Sequence, residues 1–133
     1  MTDWNGKRYW LVGASDGLGA ALAHVLSKSG VEVIVSARSE DRLKELVADL
    51  PGPASYQTVD VSDTGSVTAA AQAIGPVDGV VFLAGVYWPM KATEWYAEQA
   101  TAMADVNFTG LVARGFRTPQ RCSIAYVCAP GIL

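Results

Sequence analysis

The clearest chemical signal in the chain is a run of seven residues, Gly13-Ala14-Ser15-Asp16-Gly17-Leu18-Gly19. It stands between a short apolar run, residues 9–12 (YWLV), and a segment of helical spacing, residues 20–29. A strand-to-helix turn of this kind aims free backbone N–H groups and the positive end of a helix dipole at one point, which suits a pyrophosphate. Gly13 permits the tight turn, Gly17 lets backbone approach a ligand, and Gly19 lets the helix pack on the strand. Without those flanking elements the glycines would mark a turn and nothing more.

Other residue types exclude other chemistry. Cys122 and Cys128 are the only cysteines and His24 the only histidine, which is too few for a zinc site or a disulfide framework. His24 reads as a helix-surface or packing residue. Ten Lys plus Arg against thirteen Asp plus Glu leave a net charge of −3, so the basic footprint of a nucleic-acid or acidic-membrane binder is missing. Half the residues are hydrophobic and 17% charged, a composition that folds. No apolar run reaches membrane-spanning length, and MTDWNGKRYW does not read as a signal peptide, so a soluble, cytoplasmic protein is expected.

The elements that must position the glycine run alternate strand and helix across one domain, residues 1–133. After the first strand and helix, Gly30 acts as a stop. Residues 31–37 (VEVIVSA) read as a buried strand. Ser39 can cap a second helix whose apolar stripe is Leu43, Leu46, Val47 and Leu50, with Glu40 and Lys44 as an i,i+4 pair. The first helix places Leu22, Val25 and Leu26 on one face. Residues 55–61 form a third strand candidate, followed by Ser62 and a helix through Ile74, and residues 78–83 a fourth strand. Residues 87–91 are a loop, and Thr93 can cap a helix from Glu94 through Phe108. This order predicts an α/β fold: a doubly wound parallel sheet, third, second, first, fourth strand in space, with helices on both faces.

Several motifs, taken in order, resemble the short-chain dehydrogenase/reductase family. The glycines follow GxxxGxG spacing. Val59-Asp60-Val61 is similar to the family's adenine-contacting segment. Phe82-Leu83-Ala84-Gly85 stands where the family has Asn-Asn-Ala-Gly, and residues 105–110 (DVNFTG) resemble the segment with its structural and catalytic Asn, here Asn107. The likeness covers residues 7–110. Two departures remove loop-bracing hydrogen bonds: Val12 replaces a Thr, and both Asn of the Asn-Asn-Ala-Gly motif are gone. The resemblance implies a Rossmann fold, a nicotinamide cofactor, a small alcohol or carbonyl substrate, and cofactor contacts at Gly13, Ser15, Asp16, Gly17, Leu18, Gly19, Arg38, Asp60, Val61, Ala84 and Gly85. An acid after the second strand favours a free ribose 2′-hydroxyl, an Arg there a 2′-phosphate. Ser36-Ala37-Arg38-Ser39 supplies the Arg, so NADP(H) is favoured over NAD(H); Asp16 argues the other way.

The family's chemistry also needs a Tyr general acid with a Lys four residues on, because hydride addition puts charge on an oxygen that must meet a placed proton. No Tyr-x-x-x-Lys occurs here, and Lys91 is the last lysine. The tail reads in two ways. Residues 124–127 (IAYV) are a fifth strand, or Tyr126 belongs to a degenerate catalytic motif in which Pro130 replaces the Lys. The first is preferred because it completes a sheet. Truncation, internal deletion or a shifted frame near residues 110–121 would each leave the domain incomplete on its C-terminal side. Asn107 and Tyr126 are the catalytic candidates. Three functions are open: an oxidoreductase represented by its cofactor-binding part, a non-catalytic nucleotide-binding module, or a half-domain that pairs with another chain. An apolar fourth strand covered only by a short neighbour predicts self-association.

Overall fold

The computed structural model describes residues 3–85, 89–109 and 123–126. Parts of the predicted 87–91 loop and the readings placed on Gly110, Cys122, Cys128 and Pro130 lie outside these residues. Among the described residues are five parallel strands: β1 (Arg8–Val12), β2 (Glu32–Ser36), β3 (Ala54–Tyr56), β4 (Gly79–Phe82) and β5 (Ser123–Tyr126). They lie in the order β3-β2-β1-β4-β5, so the predicted doubly wound sheet is found. Trp10, Val12, Ile34, Val80 and Phe82 point to one face and pack with Val67, Ala70 and Ile74 of helix α3 (Thr64–Ile74). Leu11, Val33, Val35 and Val81 point to the other, against helices α1 (Gly17–Lys28) and α2 (Glu40–Asp49). All four residues of β4 are buried, as a strand covered on both faces requires.

Helix α1 packs differently from its apolar stripe. Its buried residues are Gly19, Ala23 and Ser27, while Val25 is 60% exposed. The helix is apolar on most sides, so its pattern does not select a face. The sheet selects the one with small side chains, because only they allow close approach. A β-carbon at Gly19 would lie 2.6 Å from Ala14 Cα and 2.7 Å from the Gly13 carbonyl oxygen. Leu22 and Leu26 flank this contact, partly buried. Ser27 Oγ accepts from the Gly52 N–H at 2.9 Å, which ties the far end of α1 to the turn before β3.

Helix α2 follows its sequence pattern: Leu43 and Leu46 are buried, and Lys44 Nζ lies 3.2 Å from Glu40 Oε1. Hydrogen bonds from Lys44 and then Tyr56 hold the Glu40 carboxyl below its ordinary pKa. Ser39 occupies the cap position, but its side chain makes no capping bond. Strand β3 is shorter than residues 55–61. Beyond Tyr56 the chain stays extended, and Gln57 and Val59 still donate to Val35 and Ala37 carbonyls, each at 3.0 Å. It then turns at Asp60, whose Oδ1 accepts from Ser62 N–H at 2.9 Å and Ser62 Oγ at 2.6 Å. Asp63 caps α3 by accepting from Gly65 N–H.

The single long helix expected over residues 94–108 is two pieces. Helix α4 covers Ala97–Ala104, with Tyr96 in place of Thr93 at its cap, and one π-helical turn continues it over Asp105–Thr109. A turn of this kind inserts an extra residue and shifts the angular position of its side chains, which redirects Asn107 relative to a regular α-helix. Val106 from this turn packs on the α3-side core.

Candidate functional site

The C-terminal ends of β1, β2 and β4 open onto a cleft of about 650 Å³. It lies where the chain order reverses from β1 outward, the place where open α/β sheets bind ligands. Ser36, at the end of β2, organises the floor. Its carbonyl accepts from Gly13 N–H at 2.7 Å and Ala14 N–H at 3.2 Å, and its buried hydroxyl accepts from Trp10 Nε1 at 2.8 Å. On the other side, Leu83 N–H donates to the Val12 carbonyl at 2.7 Å. The end of β1 is therefore held from both neighbours, and the glycine loop starts from a rigid base.

Gly13 has φ +88, and a β-carbon there would collide with the Ala84 backbone nitrogen and lie 2.6 Å from Ala84 Cα. The position needs glycine twice, for its conformation and for the close approach of the two strand ends. Gly17 is the opposite case: φ is +55 and nothing lies within 4 Å of a β-carbon. Gly17 also lines the cleft. Asp16 is the N-cap residue of α1, yet its side chain makes no capping bond, so no cap side chain takes up the N–H groups of the first turn. A glycine cradle with open space and uncapped N–H groups fits the phosphates of a dinucleotide.

All eleven cofactor candidates from the sequence, Gly13, Ser15, Asp16, Gly17, Leu18, Gly19, Arg38, Asp60, Val61, Ala84 and Gly85, line this cleft. Arg38 is exposed at its rim. Asp60 stands on the side of β3, with its N–H donating to Ser66 Oγ at 3.0 Å. The π-helical turn brings Asn107 to the end of β4: its Oδ1 is 3.3 Å from where a Gly85 β-carbon would lie. Tyr126 is the last residue of β5, in register with Phe82, which is the fifth-strand reading of the tail rather than the degenerate-motif one.

Sequence reasoning misses several polar groups, Ser39 among them. Arg42, from the first turn of α2, lines the cleft and pairs with Asp16, Nη1 to Oδ2 at 2.9 Å. Ser62 and Asp105 line it as well. The spacing of Arg42 four residues after Arg38 is visible in the sequence, but a helix start there reads as solvated surface. Among the described residues no group of three or more His, Cys, Asp or Glu could hold a metal ion, and no helix is long and apolar enough to cross a membrane.

The fold and the glycine-lined cleft define a doubly wound, dinucleotide-binding type of α/β domain. The model of the short chain dehydrogenase family matches residues 7–115. An uncharacterized oxidoreductase of Staphylococcus haemolyticus is 36% identical over 117 residues, covering 84% of this chain and 51% of that protein. One from Staphylococcus epidermidis is 35% identical over 104 residues, covering 75% and 45%. A variant of the actinorhodin polyketide ketoreductase with NADPH superposes with a TM-score of 0.76 at 29% identity, over 83% of this chain and 45% of that one. The chain belongs to the short-chain dehydrogenase family of oxidoreductases. It spans about half the length of the curated relatives it matches.

Proposed function

We propose that this chain is the cofactor-binding part of an oxidoreductase that moves hydride between a nicotinamide nucleotide, NADP(H) in preference to NAD(H), and a small alcohol or carbonyl compound. The observation that carries the reading is the Gly17 cradle: open space at a positive-φ glycine, beside the uncapped first turn of α1, at the mouth of the cleft. The N–H groups of that turn and the helix dipole orient the two phosphates. Asp60 and Val61 take the adenine side, and Ala84 and Gly85 line the path toward the reacting end. Arg38 makes no hydrogen bond or ion pair among the described residues, which leaves its planar donor fork available to a 2′-phosphate. When bound, the nicotinamide supplies or accepts the hydride. Asn107 stands beside Gly85, where it can hold a water or the backbone in place.

Replacing Arg38 by Asp is expected to weaken NADPH binding at least about tenfold and to move preference toward NADH, since a charge-assisted pair becomes a repulsion. Fluorescence titration with both nucleotides checks this. Unchanged NADPH affinity would show that Arg38 does not read the phosphate.

A second reading is a nucleotide-binding module without turnover, since these 133 residues hold no Tyr-x-x-x-Lys pair. The chain of 133 residues is expected to show no measurable carbonyl reduction, since losing a placed general acid costs about 10²–10⁴-fold. It is also expected to self-associate, because among the described residues the apolar strand β4 has only the four-residue β5 as its outer neighbour. An NADPH-oxidation assay over several aldehydes and ketones, with sedimentation at micromolar protein, tests both. A stable monomer with robust, Tyr126-dependent turnover would overturn them.

A further inference from the structure

We infer that Arg42 is a second specificity-determining residue of the cleft and that Asp16 controls how much of it a ligand receives. The inference rests on the cofactor reading above and goes beyond it. Asp at a helix N-cap ordinarily turns its carboxylate back onto the N–H groups of the first turn. Asp16 holds the cap position of α1 and does not do this. Its Oδ2 instead accepts from Arg42 Nη1 at 2.9 Å, and the pair joins the glycine loop to the first turn of α2 across the rim of the cleft. Both side chains are mostly exposed, 73% for Asp16 and 62% for Arg42, and both line the same cleft as Arg38.

Charge and donor count give the pair its consequence. Asp16 would place an unneutralised carboxylate at the rim where a 2′-phosphate must sit. Arg42 cancels that charge. A guanidinium carries five N–H donors in a planar fork, so one bond to Asp16 leaves donors for a phosphate oxygen. Removing Arg42 therefore acts twice against a 2′-phosphate: a cation is lost and a carboxylate is bared. The same bared carboxylate is a ready acceptor for a 2′-hydroxyl. Removing the Asp16 charge has the reverse effect, because Arg42 then has no competing anion.

The test is isothermal titration of the purified chain with NADPH and with NADH, read as the ratio of the two affinities. Arg42→Ala is expected to lower the NADPH-to-NADH ratio about tenfold. Asp16→Asn is expected to raise it roughly threefold, the smaller effect expected of an exposed pair. Asp16→Asn in the Arg42→Ala background should recover part of the lost ratio, since the bared charge is then removed. A ratio within about twofold of the unchanged protein in Arg42→Ala would overturn the role of Arg42. A lowered ratio in Asp16→Asn would overturn the control by Asp16. If the unchanged chain binds neither nucleotide, the cofactor reading itself fails and the inference with it. If it binds both and Arg42→Ala leaves the ratio alone, only the inference fails.

Discussion

Gly17→Val is expected to reduce nicotinamide-nucleotide affinity by at least about a hundredfold while the chain still folds, the energy of two or three lost charge-assisted contacts. Fold and site respond separately at this position. Nothing lies within 4 Å of a β-carbon at Gly17, so the new side chain meets no protein atom. Gly17 lines the cleft, so the added side chain is expected to crowd its mouth. Two methyl groups then stand where a phosphate would approach the first-turn N–H groups. A backbone cost also arises, because φ is +55 and a β-branched residue tolerates that region poorly. About 1–2 kcal/mol of stability should be lost on that account. Gly17→Ala carries most of the same backbone cost with a smaller obstruction, so comparing the two by titration and thermal melting separates strain from blocking. Valine at 17 with full nucleotide affinity would show that the phosphates lie elsewhere.

The second large effect is expected at Gly13, and it falls on stability. Gly13→Ala puts a methyl group against the backbone of Ala84 and Leu83, at the joint between β1 and β4. Backbone cannot move aside as the end of a flexible side chain can. Positive-φ strain of about 1–3 kcal/mol and overpacking of similar size add together. Against a domain stability of about 5–15 kcal/mol, that is a large fraction. The variant should melt well below the unchanged protein, or collect in the insoluble fraction, and bound nucleotide should not rescue it. Urea denaturation monitored by tryptophan fluorescence reads this directly, since Trp10 is fully buried beside Ser36. A variant of normal stability would mean that the two strand ends stand further apart.

The sequence already separates these two glycines, Gly13 for the tight turn and Gly17 for the approach of a ligand. Both belong to one GxxxGxG run, and the run with its flanking elements is enough to predict the strand-to-helix turn that is found. The structure gives Gly13 to a backbone joint and Gly17 to open space. Similarly, alternating apolar runs and helical stripes are enough to predict the parallel strands in their observed spatial order. Such patterns are local: a β-branched apolar run is buried on both faces whatever lies beside it, and right-handed crossovers leave few orders open. Strand and helix ends are less legible. Residues 55–61 have strand composition throughout, but the regular strand ends at Tyr56; Gln57 and Val59 still bond to the β2 side before the chain turns at Asp60.

Other features lie beyond local patterns. The face of α1 that packs is decided by the sheet, since only Gly19, Ala23 and Ser27 let the helix axis come close enough. The break between α4 and the π-helical turn, which carries Asn107 to Gly85, is not read from the sequence, although helical propensity falls from the Ala-rich α4 to the Asp-Val-Asn-Phe-Thr turn. The Asp16–Arg42 pair is of the same kind. The two residues are 26 positions apart, and nothing in either neighbourhood names the other.

By itself, then, the amino-acid sequence determined the alternating α/β class, the phosphate-loop glycines, the candidate 2′-phosphate reader Arg38, and the lack of a Tyr-x-x-x-Lys pair. Each of these depends on residue type and short-range spacing. The tertiary structure alone decided the distances at these glycines, with the Ala84 backbone against Gly13 and open space at Gly17, which face of α1 is buried, and that Arg42 shares the cleft rim with Asp16 and Arg38. Those are questions of distance between segments remote in the chain, and only the packing of helices on the sheet sets such distances.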